Sequence, residues 1–232
     1  MKKNTIGNRI KDNYENRYRI KLTRRTPVII RLDGKAFHTL TRDCQKPFDK
    51  ILQTIMENTA SKLCSEIQGV KCAYVQSDEI SLLLTDFSRL TTDAWFDYNL
   101  QKIVSVSAGI ASAYFTTHYM NDDNIAVFDS RAFNIPKEEV CNYFIWRQQD
   151  WLKNSIQMLS QTYYSAKQLH NKNTLDMHEL LYKKNINWAN LELIWKNGSF
   201  IYKSGRKFKI DHSIIFTKNR EIIEQFNTPI KD

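Results

Sequence analysis

The sequence predicts an α+β fold, and three observations predict it. Short runs rich in β-branched residues alternate with two stretches of helical apolar spacing, and only six glycines and four prolines interrupt 232 residues. The first elements follow the order strand, helix, strand, strand, helix, strand, the split βαβ pattern of ferredoxin-like domains. A second set of helices and strands follows, so the chain divides into a core over residues 1–135 and an extension over residues 136–232, expected to pack as one unit.

The first strand is Thr26 to Leu32, a β-branched run after Pro27 that ends in the turn dipeptide Asp33-Gly34. After Pro47, apolar residues at Phe48, Ile51, Leu52, Ile55, Met56, Ala60, Leu63, Cys64 and Ile67 share one helical face, and Gly69 closes that helix. Cys72 to Val75 and Ile80 to Leu84 read as two strands joined by an acidic turn at Ser77-Asp78-Glu79. A second helix is expected from Asp93 to about Thr117; Ser105, Ser107, Ala108, Gly109, Ala111, Ser112 and Ala113 make it small-sided, as close packing on a sheet requires. Ile125 to Phe133 supplies the next strand. Pro136 with Glu138 and Glu139 starts a long helix running to about Leu169, because proline suits a first turn and acidic groups favour the positive end of the helix dipole. On it Arg147, Asp150, Asn154 and Gln157 form a polar stripe at i, i+3, i+7 and i+10, while Tyr143, Ile145, Leu152, Ile156, Leu159 and Tyr163 are expected to pack. A helix over Leu175 to Lys184 and strands over Leu191 to Trp195, Phe200 to Lys203 and Phe208 to Phe216 complete the expectation.

The formal net charge is +9, and residues 1–35 hold eleven Lys or Arg against three Asp or Glu. Such an arm attracts a polyanion, since each phosphate neutralised releases counterions. Taken alone it is equally a solvated face. No apolar stretch opens the chain, so no membrane segment is expected and the cytoplasm is the expected location. Cys44, Cys64, Cys72 and Cys141 lack zinc-site spacing and are expected to be reduced.

In a split βαβ sheet, Asp33 at one strand end and Asp78 with Glu79 at a neighbouring hairpin turn come to one edge. Converging carboxylates repel unless cations neutralise them, and Mg²⁺, with hard oxygen ligands at about 2.0–2.1 Å and substrate phosphates completing its octahedron, suits them. Two such ions activate an attacking hydroxyl and stabilise a leaving phosphate oxygen. Nucleotide polymerase palms share this architecture. Read singly, Asp33-Gly34 is an ordinary turn and Asp78-Glu79 an ordinary hairpin tip; together, on this topology, they point to a catalytic centre.

Arg31, Leu32, Asp33, Gly34, Lys35, Ala36, Phe37 and His38, then Lys46, Pro47, Phe48 and Asp49, then Gln76, Ser77, Asp78 and Glu79 resemble successive motifs of the histidine-tRNA guanylyltransferase superfamily. Phe128 to Arg131 and Trp146-Arg147-Gln148 extend the resemblance over roughly residues 6 to 205. It implies a polymerase-like palm with two Mg²⁺ on Asp33, the Gly34 carbonyl and Asp78, with Glu79 in support. It implies ATP activation of a tRNA 5′-monophosphate, attack by the 3′-hydroxyl of GTP or another NTP, and removal of pyrophosphate. By the same resemblance Arg31, Lys46 and Lys102 are triphosphate contacts, and Lys35, Ala36, Phe37, His38, Asp49 and Ser77 belong to the nucleotide pocket. Arg24, Arg25, Arg131, Arg147, Asn154, Lys203 and Arg206 are assigned to tRNA and its acceptor stem, and a homotetramer is implied. Outside the motif context Lys46 and Lys102 read as surface lysines, and His38 as a hydrogen-bonded rim histidine.

One departure bears on substrate. The branch that marks histidine tRNA carries His-Ile-Asn-Asn-Leu after Trp-Arg-Gln, where this chain has Leu152, Lys153, Asn154, Ser155 and Ile156. The chain therefore resembles the guanylyltransferase-like branch, which repairs 5′-truncated tRNA in the 3′-to-5′ direction using the opposite strand as template. Guanosine addition to histidine tRNA, a palm-type nucleotide cyclase and a non-catalytic tRNA-binding module are the alternatives; fold analogy does not separate the enzymes.

Overall fold

The structure is a computed structural model, described here for residues 5–89, 91–119, 124–205 and 207–228. Helix α1 (Ile6–Asn13) leads to strand β1 (Val28–Gly34), the single turn α2 (Phe37–Leu40), α3 (Lys50–Glu66), β2 (Val70–Gln76), β3 (Glu79–Leu84), α4 (Leu100–His118) and β4 (Phe128–Asn134). Then come α5 (Lys137–Tyr163), α6 (Ala166–Leu169), α7 (Thr174–Tyr182), α8 (Leu193–Asn197), β5 (Ser199–Ser204), β6 (Lys207–Asp211) and α9 (Glu221–Glu224). The six strands form one antiparallel sheet in the order β4-β1-β3-β2-β5-β6. Its first four strands have the ferredoxin-like arrangement expected of the sequence, and β5 and β6 widen it beyond β2.

Both faces of β1 are covered, which is why its apolar run is continuous rather than alternating. Val28, Ile30 and Leu32 face a core shared with α3 and α4, whereas Ile29 joins Tyr74, Leu83, Phe144 and Phe216 in a second core under α5. By the same two-residue period Arg31 and Asp33 lie on the α5 side. Small residues on α4 allow close approach: Ser107 and Ala111 are fully buried, and the Ser107 and Ser130 hydroxyls meet at 2.8 Å. The basic hairpin β5–β6 is tied back to α3 where the Glu57 carboxylate accepts from Ser199 Oγ at 2.6 Å and meets His212 Nε2 at 2.8 Å.

Several boundaries differ from the expectation, each for a local reason. The helix expected from Asp93 begins at Leu100, because Phe96, Asp97 and Tyr98 all take left-handed backbone and Asn99 then caps α4 through Lys102 N–H. β4 begins at Phe128, not Ile125, where Phe128 N–H donates to Ser112 Oγ. The long helix stops at Tyr163: Tyr164 is extended, and Ser165 with Gln168 forms a capping box that starts α6. Leu191 to Trp195 is not a strand; α8 forms there, and Gly198 at φ +73° ends it. β6 ends at Asp211, whose carboxylate takes the Ser213 N–H and hydroxyl. On α5, Leu152 and Tyr163 stay exposed while Ile156 and Leu159 are buried. All four cysteines are free. Among the described residues no helix is long and apolar enough to cross a membrane.

Candidate active site

β1 and β3 are paired so that Asp33 lies opposite Glu79, and Gly34 N–H donates to the Asp78 carbonyl at 3.2 Å. Strand pairing thus brings the three acidic residues to one end of the sheet. Ser77 takes the left-handed conformation at φ 48°, which turns the β2–β3 hairpin tightly enough to place Asp78 beside Asp33.

The three carboxylates differ in their electrostatics. Glu79 is neutralised: Arg147 Nε and Nη2 donate to its two oxygens at 2.7 Å each, and Arg31 Nε lies 2.9 Å away. Gln76 Nε2 and Ser81 Oγ complete its shell. Neither Asp33 nor Asp78 has an ion-pair partner among the described residues. Burial, then the Glu79 charge, raise the Asp33 carboxyl above its ordinary range, against the pull of Arg31. Burial also raises Asp78, with Asp33 and Glu79 adding to it and hydrogen bonds from its own backbone and Ser77 opposing it. Two desolvated anions side by side form a site that favours an incoming cation.

They stand on the wall between two cavities. One, of ≈ 390 Å³, lies under α5, and the polar stripe of that helix lines it through Arg147, Asp150, Asn154 and Gln157. The other, of ≈ 350 Å³, opens toward α2 and α3 and is lined by Gly34, Ala36, Phe37, His38, Leu52 and Met56. Asp33, Ser77 and Asp78 line both. Each cavity is of the size that small-molecule sites occupy.

The first motif positions this wall through backbone. Lys35 is exposed, its N–H held by the Val127 carbonyl at 2.8 Å, and Ala36 at φ 55° turns the chain into α2. Phe37 is not a cavity-facing ring alone; it is 4% exposed and packs between Phe115 and Phe128, with centroids at 5.1 and 5.0 Å. Gly34 is required by that ring: a Cβ there would stand 2.2 Å from Phe37 Cδ2. Gly34→Ala is therefore expected to cost about 1–3 kcal/mol, read as a lowered melting temperature.

Asp49 caps α3. Its carboxylate accepts N–H bonds from Gln45, Ile51 and Leu52 at 2.8–3.0 Å. Its burial raises the carboxyl, but these N–H groups and Lys46 outweigh it, and the group is held below the ordinary range. Its stabilising contribution is complete above that range and is lost as pH falls through the depressed value. Asp49→Ala is expected to cost about 1 kcal/mol and Asp49→Asn much less, measured by thermal unfolding at neutral pH.

The remaining expected contacts are dispersed. Lys46 donates to the Thr41 carbonyl at 2.9 Å beside a smaller cavity lined by Phe48 and Trp195, and Lys102 lies on the first turn of α4 with Nζ 5.5 Å from the Phe96 centroid, lining neither large cavity. Arg147, expected among the tRNA contacts, is buried by its pairing with Glu79 and Asp150. Arg24 is ion-paired with Asp86 and Asp97, while Arg25 donates its main-chain N–H to Asp86 and its guanidinium to the Arg89 carbonyl. Arg131, ion-paired with Asp129, and Asn154 and Lys203 are exposed, and Arg206 lies outside the described residues. Sequence reasoning missed Met158 and Gln161 in the α5 cavity. Gln161 continues the stripe at i+14 and was open to detection; Met158 carried no signal.

A family model described as Thg1, tRNAHis guanylyltransferase, matches residues 7–136, more than half of the chain. The chain belongs to the tRNAHis guanylyltransferase family. It is accordingly a nucleotidyltransferase. Among solved structures, it is similar to a bacterial tRNA(His) guanylyltransferase (Thg1)-like protein in complex with ATP, at 47% identity and a TM-score of 0.91 over 97% of this chain and 99% of that one. A probable tRNA(His) guanylyltransferase of Dictyostelium discoideum is 28% identical over 85% of this chain and 83% of its own length. The fold is also that of the tRNA(His) guanylyltransferase of Saccharomyces cerevisiae, with a TM-score of 0.73 at 20% identity. Within this family frame the two-cavity wall carries the Asp33–Asp78 pair.

Proposed function

We propose that the chain adds nucleotides to the 5′ end of truncated tRNA in the 3′-to-5′ direction, templated by the opposing acceptor strand. The observation that carries this reading is the placement of Asp33 and Asp78 on a wall shared by two cavities; in this reading one cavity takes a nucleoside triphosphate and the other the RNA 5′ end. The ATP and GTP complexes of the bacterial Thg1-like protein support nucleotide binding in this family.

The donor set fits Mg²⁺. Two partly desolvated carboxylates without an ion-pair partner among the described residues, beside a backbone turn, supply hard oxygen and leave most of an ion's coordination positions to other ligands. That is the pattern of an ion completed by water and substrate phosphates. Asp33, Asp78 and the Gly34 carbonyl would hold two such ions, which when bound neutralise the carboxylates and stabilise charge on phosphate oxygens. The chain's own groups orient the reactants. Glu79, locked by Arg147 and Arg31, holds the end of β3 and keeps both guanidiniums at the α5 cavity. His38 faces the other cavity, where its ring can meet a base or ribose.

The templated reading over single guanosine addition rests on α5. Where the histidine-tRNA branch has a second asparagine, this chain has Ser155, buried, with Trp188 Nε1 donating to its Oγ at 2.7 Å. Only Asn154 of that pair points to the cavity. The test supplies Mg²⁺, ATP and four NTPs to a 5′-monophosphorylated tRNA lacking its first nucleotide, with each base in turn at the opposing position. Extension by the complementary nucleotide is expected. Guanosine added whatever the opposing base sinks the templated reading, and no extension even from a 5′-triphosphate sinks the catalytic one. Light scattering checks the tetramer that belongs to the same reading.

A further inference from the structure

Trp146 is 51% exposed on α5, although an indole carries a large apolar surface that proteins normally bury in part. Its ring is held by neighbours that are themselves fixed. The Arg147 guanidinium carbon lies 4.4 Å from the ring centroid and that of Arg31 5.8 Å. Tyr143 packs against it edge-on at 5.9 Å, and the Tyr143 hydroxyl is itself fixed by Ser81 at 2.8 Å. Arg31 and Arg147, the two guanidiniums beside the indole, both line the cavity that contains Asp33 and Asp78.

Two further cations lie on the elements that carry these groups. Lys153, seven residues along α5 and thus on the same side of the helix, is exposed, and Arg131 on β4 is the register partner of Arg31. A fixed, half-exposed aromatic ring beside two guanidiniums, on elements that also carry exposed cations, is the chemistry that receives an unstacked or helix-end nucleobase with its phosphates. We infer that Trp146 stacks on the nucleobase at the RNA 5′ terminus as that terminus is presented to Asp33 and Asp78. This rests on the RNA reading above. The indole then sets how far the 5′ end enters the cavity, a specificity role separate from the chemistry of the carboxylates.

The experiment uses the full chain and a 5′-monophosphorylated acceptor-stem duplex lacking its first nucleotide, made with a normal or an abasic 5′-terminal residue. Binding is followed by fluorescence anisotropy without NTPs, and KM and kcat for addition are measured separately. Trp146→Ala is expected to weaken binding of the normal duplex and raise its KM about tenfold, the size of one base–aromatic stack, with Trp146→Phe recovering most of the loss. The abasic end is expected to cost the wild type about the same factor and Trp146→Ala nothing further. An abasic penalty of equal size in both proteins, or unchanged binding by Trp146→Ala, overturns the inference and leaves the function reading standing. A wild type that binds no form of the duplex overturns both. The abasic arm and the phenylalanine variant keep the test decisive if the alanine variant folds poorly.

Discussion

Asp78→Asn is expected to lower nucleotide addition by about 10³-fold or more while leaving the melting temperature unchanged or higher. Asp78 is one of two half-buried carboxylates at the wall with no ion-pair partner among the described residues, and its partial burial with the charges of Asp33 and Glu79 already opposes its ionisation. Removing the charge relieves that repulsion, so the fold gains or stays level. On the proposed function the chemistry loses a charged oxygen ligand whose support of phosphate charge is on the order of several kcal/mol, each 1.4 kcal/mol being about tenfold in rate. Single-turnover addition and differential scanning calorimetry on the same preparation read the two effects. Full activity in the variant would remove Asp78 from the reaction; lost activity with a lowered melting temperature would make it a structural residue.

Arg147→Ala is expected to destabilise the protein by about 3–5 kcal/mol, because it strips a buried carboxylate of its bidentate partner. Glu79 is 6% exposed and lies between Arg147 and Arg31, and Arg31 alone does not offer the paired geometry that Arg147 provides. For a chain of this size the loss corresponds to a fall in melting temperature of about 10 °C. Arg147→Lys should recover little, since an ammonium cannot reproduce the two parallel N–H bonds of the guanidinium. Arg147→Met combined with Glu79→Gln should recover more than Arg147→Met alone, since it removes the stranded charge. Equal melting temperatures for those two variants would show that the pair contributes little to the fold.

On the proposed function these two residues divide the site into working and supporting parts. Asp78 and Asp33 face the cavities with charges left open, whereas Glu79 is spent on the internal ion pairs that hold β1, β3 and α5 in register at the wall. A sequence in which Asp78 and Glu79 are adjacent gives no local sign of which does which. The hairpin decides: Asp78 sits in the turn between β2 and β3 and borders both cavities, whereas Glu79 opens β3 and pairs with Arg147 of α5.

The sequence by itself determined the sheet core and the acidic wall. Apolar runs at β1, β2 and β3, the helical face of α3 and the small-residue helix α4 are local patterns, and local periodicity survives folding because each element must bury that face somewhere. The motif residues Asp33 and Asp78 were legible for the same reason, since strand ends and hairpin turns are set by neighbours in the chain. What only the tertiary structure decided was the use of side chains whose partners are distant in sequence. Arg147 read as a surface member of a polar stripe, yet it is buried by a pairing 68 residues away. Asp49, assigned by resemblance to the nucleotide pocket, also caps α3, and Leu191 to Trp195 read as a strand and folds as α8 because Gly198 can take positive φ and Trp195 stacks on Phe48 at 4.8 Å. Propensity fixes only a fraction of a kcal/mol per residue, whereas a buried ion pair or an aromatic stack contributes more, so where the two conflict the long-range contact decides.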